Sequence, residues 1–242
     1  MGAACPVCGG TGFRVLESEG PPRAVRCDCR LRTRRERLLL TARIPSRYRD
    51  CELSNFDEMT PDLRKARLLA SEFVQAYPDV EGGLMFLGPP GTGKTHLAVA
   101  VLRLLMLEKG ADGLFYDSRD LLKAIQGTYD SSSQGSELAI LQPVVRAEVL
   151  VLDDLGAGRA TGWVQETLFY VLTSRYNERR TTIVTTSLPD EPADQMQPRE
   201  TLEAVVGAPL RSRLAEMCRA VTITDCGDYR RRVRRRTDLH PL

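Results

Sequence analysis

The chain has 242 residues, 42% of them hydrophobic and 27% charged, with a formal net charge of +2. That length holds one sizeable α/β domain and a small appendage, and two full domains would be a tight fit. No apolar run approaches a membrane span, and the opening MGAACPVCGG lacks the basic and apolar segments of a secretion signal, so a cytoplasmic protein with no membrane partner is expected.

The near-neutral total hides an uneven placement. Arginines crowd the stretch from Arg23 to Arg49 and the tail from Arg230 to Arg236, which points to anionic contacts at both ends. The seven cysteines are odd in number and come without a secretion signal, which favours a metal site in a reducing compartment over a disulfide framework.

Residues 1–30 hold Cys5-Pro-Val-Cys8 on a glycine-rich turn and then Cys27-Asp-Cys29. Two thiolates on one side of a tight knuckle, met by a second pair across a short hairpin, complete a tetrahedron, so Cys5, Cys8, Cys27 and Cys29 are the inferred zinc ligands. The second pair is Cys-x-Cys rather than Cys-x-x-Cys, and a redox pair or unrelated thiols is the competing reading. Large apolar residues are few here, so a bound metal would supply much of the folding free energy. Four thiolates leave no position for water, which makes the expected zinc structural. Cys51, Cys218 and Cys226 have no thiol or histidine at ligand spacing and read as buried small hydrophobes.

Residues 31–44 form a basic helical linker, either a solvated face or a nucleic-acid or partner contact. Pro45 disfavours helix at Ile44, so the main domain is placed at 45–242. A helix is predicted over 61–77, with Leu63, Ala66, Leu69, Ala70 and Phe73 sharing a face. The apolar run Leu84 to Leu87 then precedes Gly88-Pro89-Pro90-Gly91-Thr92-Gly93-Lys94-Thr95, and a helix opens at His96. That strand, glycine loop and helix order is the one a P-loop requires. The loop's N–H groups would turn onto phosphate oxygens, Lys94 would reach the β- and γ-phosphates, and Thr95 would place its hydroxyl on Mg²⁺, which makes ATP the expected ligand. His96 reads as packing or capping beside this site.

A second strand is predicted at Leu114 to Asp117, with Ser118 as N-cap of the next helix. The polar stretch Gly127 to Gly135 is either a functional insert or disordered. Val149 to Leu152 reads as a buried strand ending in Asp153 and Asp154, carboxylates that would meet Mg²⁺ and the attacking water. Asp153 is expected to bind Mg²⁺ through its water shell and Asp154 to orient or deprotonate the water. After Thr161-Gly162-Trp163 comes a helix over 164–179, then a strand at 182–186 with Ser187 at its tip, placed to sense the γ-phosphate or to serve only as a turn residue. A fifth strand is predicted at 220–224. The remainder is too short for a helical lid, so part of the transition-state positive charge would come from a neighbouring subunit, and self-association in the ATP-bound state is expected.

Together GPPGTGKTHLA, VLVLDDLGA, TGW with the following helix, TIVTTSL, LRSRLAEMC and GDYRRR resemble the AAA+ ATPases of the DnaC/DnaI helicase-loader and IstB transposition-helper group over residues 45–236. The resemblance implies an AAA+ P-loop NTPase core with a mostly parallel five-stranded sheet, ATP bound between subunits, and single-stranded DNA held along a spiral. By motif, Arg213 is similar to the arginine finger that touches a neighbour's γ-phosphate, and Arg230 to the second sensor. The insert after the second strand resembles the initiator-specific insertion, placing Lys123 near DNA. Two positions depart from the family, Ser187 for its usual Asn and Gly162 for the acid of Thr-Glu-Trp, and both point to slow hydrolysis. The cysteine-rich module looks like the helicase-binding domain of DnaI-type loaders, so the replicative helicase is the expected partner. The alternative is a transposition helper assembling on duplex DNA with a transposase. A small-molecule kinase would need an acceptor pocket, and the paired acids favour water.

Overall fold

The computed structural model describes residues 5–16, 22–29, 38–128, 135–190, 201–224 and 227–230. Near the N-terminus, β1 (Phe13–Leu16) and β2 (Arg23–Arg26) pair antiparallel in a two-stranded hairpin. The remaining strands are β3 (Gly83–Leu87), β4 (Gly113–Asp117), β5 (Val149–Asp153), β6 (Thr181–Thr186) and β7 (Cys218–Thr222). They form one sheet in the order β4-β5-β6-β3-β7, parallel at every pairing, as expected of an AAA+ core.

A parallel sheet is covered on both faces, and the apolar pattern shows how. Leu84 and Phe86 face the layer of α1 (Pro61–Ala76) and α2 (Lys94–Leu104). Met85 and Leu87 face the other layer, with α3 (Ser118–Gln126), α4 (Gly135–Arg146), α5 (Gly162–Asn177), α6 (Leu202–Val206) and α7 (Ala208–Met217). Threonine caps start three helices: Thr60, Thr161 and Thr201 each accept from a backbone N–H in the first turn.

Two local readings are corrected. The N-cap of α3 is Asp117, whose carboxylate accepts from Arg119 N and Asp120 N, and Ser118 is the first helical residue. A carboxylate accepts two N–H bonds and adds negative charge at the helix N-terminus, so it outcompetes the hydroxyl one position later. Strand β7 starts two residues earlier than its apolar run suggests, because α7 passes into it at Cys218 without a loop and Cys218 already pairs with Gly83. Cys218 and Cys51 are buried, as expected; burial pushes the Cys218 thiol up to about 12. Most of the basic linker, residues 129–134 of the polar stretch, Cys226 and the arginine tail beyond Arg230 lie outside the described residues. Among the described residues no helical lid follows β7, and no helix is long and apolar enough to cross a membrane.

One buried charge locks the sheet to its helices. Arg175 on α5 is fully buried and donates to the carbonyls of Val144 (2.8 Å), Ala147 (2.9 Å) and Thr181 (2.6 Å) and to the Thr182 hydroxyl (3.0 Å). Desolvation, and then the neighbouring Arg180, hold its guanidinium down to about 9, still charged at neutral pH. It thereby satisfies the C-terminal carbonyls of α4 and ties α4, α5 and β6 together. Replacing it by Met keeps the volume but leaves several buried carbonyls unpaired, so Arg175→Met should lower stability by about 3 kcal/mol or more in denaturant unfolding. A loss below about 1 kcal/mol would mean that water takes over these bonds.

Candidate nucleotide site and thiol cluster

The carboxyl ends of β3, β5 and β6 meet around the loop that joins β3 to α2. Gly91 and Gly93 have φ of 82° and 93°, and a Cβ there would stand 2.1 Å from Asp228 Oδ1 and 2.7 Å from the Phe56 ring. Only glycine permits both the backbone angle and the close approach. Lys94, at the start of α2, is nearly buried and points its ammonium back over the loop, 2.7 Å from Gly88 O and 2.8 Å from Pro89 O.

Asp153 closes β5 and is only 6% exposed. Its Oδ1 accepts from Thr95 Oγ1 at 2.9 Å and from Thr185 Oγ1 at 2.6 Å. Desolvation raises its pKa, the two hydroxyls oppose that, and the charges of Asp154 and Asp117 add to it. Asp154 lies one step beyond the strand in a left-handed conformation (φ 55°). Two bonds hold it there: its N–H donates to Thr185 Oγ1 (2.9 Å), and its carbonyl accepts from Ser118 Oγ (2.8 Å). Thr185 thus donates to one acid and accepts from the backbone of the next. Arg119 faces the Asp154 carboxylate at 3.5 Å and that of Asp117 at 3.4 Å, and its pKa is raised mainly by Asp117.

These groups open on a cleft of about 900 Å³. Residues 90–96 of the loop line it together with Asp153, Asp154, Ser187 and Arg230, so all of these expected site residues meet at one place. Gly88 and Pro89 contribute through the carbonyls that hold Lys94. His96 lines the cleft, but its Nε2 is 2.8 Å from Glu52 O and its ring meets the edge of Phe56, which fits packing. Tyr229 N donates to Gly91 O at 3.0 Å, laying the C-terminal segment across the loop. Arg213 stands elsewhere, with its guanidinium carbon 4.5 Å from the centre of the Phe169 ring. Thr185, Asp117, Arg119, Phe56 and Tyr229 are site residues that the motifs do not single out. For Thr185 the one available signal is a polar side chain in a strand otherwise read as β-branched filling.

At the other end of the chain the hairpin gathers the thiols. The Sγ atoms of Cys5, Cys8, Cys27 and Cys29 lie within 4.8 Å of one another, with Cys5 to Cys27 at 3.8 Å and Cys8 to Cys29 at 3.4 Å. Sulfurs bound tetrahedrally at ~2.3 Å stand about 3.8 Å apart, so the cluster fits zinc. Gly12 N donates to Cys8 Sγ at 3.3 Å, the kind of outer contact that stabilises a thiolate.

Two outcomes follow. The purified chain should release about one zinc on thiol modification, and Cys8→Ser should lower that content and unfold the hairpin, read by a colorimetric chelator and by proteolysis of the N-terminal segment; a metal-free protein with an intact hairpin would contradict it. Thr185→Val should weaken Mg²⁺ dependence of nucleotide binding by about tenfold, since Asp153 loses a donor and the Asp154 backbone its anchor. An unchanged Mg²⁺ titration would show the clamp to be dispensable.

The IstB-like ATP binding protein family matches residues 23–237 of the chain. The chain is 27% identical over 214 residues to "Uncharacterized protein YqaM" of Bacillus subtilis (strain 168), covering 84% of this chain and 63% of that protein. It is 25% identical over 135 residues to the replicative helicase loader DnaC of Escherichia coli (strain K12), covering 56% of this chain and 54% of the loader. It thus spans less than two thirds of the length of these curated relatives. A crystal structure of the DnaC helicase loader superposes with a TM-score of 0.65 at 33% identity, covering 74% of this chain and 99% of that one. The chain belongs to the IstB-like ATP binding protein family, within the DnaC/IstB-like group of AAA+ P-loop NTPases.

Proposed function

We propose that the protein binds and hydrolyses ATP and acts as a DnaC-like helicase loader that binds single-stranded DNA and the replicative helicase. The observation that carries the reading is the hydroxyl–carboxylate–hydroxyl line Thr95, Asp153 and Thr185 beside Lys94, in a fold shared with a DnaC helicase loader. A bound Mg²⁺ would supply positive charge at the β- and γ-phosphates, held by the Thr95 hydroxyl and, through water, by Asp153. Lys94 would leave its two carbonyl partners for phosphate oxygens. Asp154, fixed in its backbone and facing Arg119 at the wall of the cleft, would orient or deprotonate water. Ser187 and Arg230 line the same cleft, in keeping with sensing roles. Arg213 is outside its own chain's cleft, in keeping with service to a neighbour's nucleotide.

The domain plan goes with this reading: residues 1–30 a zinc-held module for the helicase, 31–44 a basic linker, and 45–242 the ATPase domain. The second reading is an IstB-like transposition helper, favoured by the family match, which starts at residue 23 and leaves out Cys5 and Cys8. Affinity capture with the full tagged chain separates them. The loader reading expects the hexameric helicase of the same cell to be retained with ATP, less so by Cys8→Ser, and expects single-stranded DNA to stimulate phosphate release without any added acceptor. Retention of a transposase, with ATP-dependent filaments on duplex DNA, would overturn it in favour of the helper.

A further inference from the structure

The described arginines fall into kinds according to what holds them. Arg67, Arg103, Arg119 and Arg211 each meet a carboxylate, and Arg175 is wrapped by carbonyls. Arg43 and Arg47 lie over the rings of Tyr116 and Tyr48, and Arg213 belongs with them. Among the described residues it makes no ion pair, and its Nη1 is buried without a hydrogen-bond partner. What it has is the face of Phe169, 4.5 Å from ring centre to guanidinium carbon. The ring comes from α5 and the arginine from α7. Their alignment is kept by a second contact between the same helices, Tyr176 Oη to Glu216 Oε2 at 2.8 Å.

A guanidinium held on a ring sheds water from its faces and loses rotamer freedom, and a guanidinium fixed in this way is suited to meet phosphate oxygens. Phe169 is 37% exposed under Arg213, so this aromatic and cationic pair reaches the surface, the composition that enters protein interfaces. The nucleotide cleft carries both signs of charge, with Asp153 and Asp154 beside Lys94, Arg119 and Arg230, and the phosphates of a bound nucleotide are the anions that an arginine from a second copy would meet.

We propose that Phe169 is a positioning residue for Arg213, presenting its guanidinium to a nucleotide bound in a second copy of the chain. This rests on the role in a neighbour's site given to Arg213 above. Phe169 is not among the residues that line its own chain's cleft. It holds the arginine where the assembled site needs it, so its loss acts on the site of another copy and not on its own.

The test measures ATP turnover by single variants and by equimolar mixtures, with binding of a fluorescent ATP analogue and thermal melting of each variant. Phe169→Leu alone should lose about three- to fivefold in kcat, with analogue affinity and melting as in the parent, and Phe169→Tyr should recover the loss. Mixed with Lys94→Ala, which still offers an intact Phe169 and Arg213, turnover per Phe169→Leu chain should rise. Mixed with Arg213→Ala it should not, because both copies then donate a defective arginine. A parental rate for Phe169→Leu, a rise with Arg213→Ala, or a lowered melting point recovered by Tyr without any mixing pattern overturns the proposal. Failure of the underlying reading looks different: Lys94→Ala and Arg213→Ala would then show no mutual rescue, which removes the shared site and the Phe169 role with it.

Discussion

The buried carboxylate of Asp153 is the constraint on which the site depends. At 6% exposure it is taken out of water between two threonine hydroxyls, one from the first turn of α2 and one from the end of β6. An ionised carboxylate in that position is costly unless it is hydrogen-bonded, and the two donors supply the bonds. The sheet order makes this possible. Because β5 lies beside β6, and β6 beside β3, the ends of three strands and the glycine loop converge within hydrogen-bond reach. A different strand order with the same motifs would scatter Lys94, Asp153 and Thr185.

Two buried cations show how the fold separates architecture from chemistry. Arg175 and Lys94 both rest on backbone carbonyls. Arg175 spreads its planar donors over carbonyls from α4 and β6 and is sealed, so that nothing can exchange with it. Lys94 holds two carbonyls of a single loop at the wall of an open cleft, where stronger anionic acceptors can replace them. The lysine is a compact point charge suited to that exchange, and the arginine a rigid fork suited to pinning. Arg213 is a third case, a cation left with a ring for company.

Legibility followed chemistry. GPPGTGKT, the paired acids after Val149 to Leu152, and the cysteine pairs are each a residue type at a spacing that one purpose explains, and the structure brings each group together. The apolar runs placed all five core strands to within two residues, because a parallel sheet buries them on both faces. What escaped was relational. Thr185 looks like any β-branched strand residue until β6 is laid against β5. Ser118 and Asp117 are both good caps by residue type, and it takes the turn at the end of β4 to bring the Asp117 carboxylate to the two N–H groups that decide between them. The burial of Arg175 follows from the closeness of α4, which no local pattern encodes. Phe169 under Arg213 joins helices more than 40 positions apart in the chain, and that pairing exists only once α5 and α7 pack.

The central claim is that Lys94, Thr95 and Asp153 are a nucleotide and Mg²⁺ site at rest. A crystal structure with Mg²⁺ and a non-hydrolysable ATP analogue tests it most directly. The account predicts that the Lys94 ammonium moves from the Gly88 and Pro89 carbonyls to phosphate oxygens, and that the Thr95 hydroxyl gives up Asp153 for the metal. An analogue bound elsewhere, with Lys94 still on its two carbonyls, would contradict it.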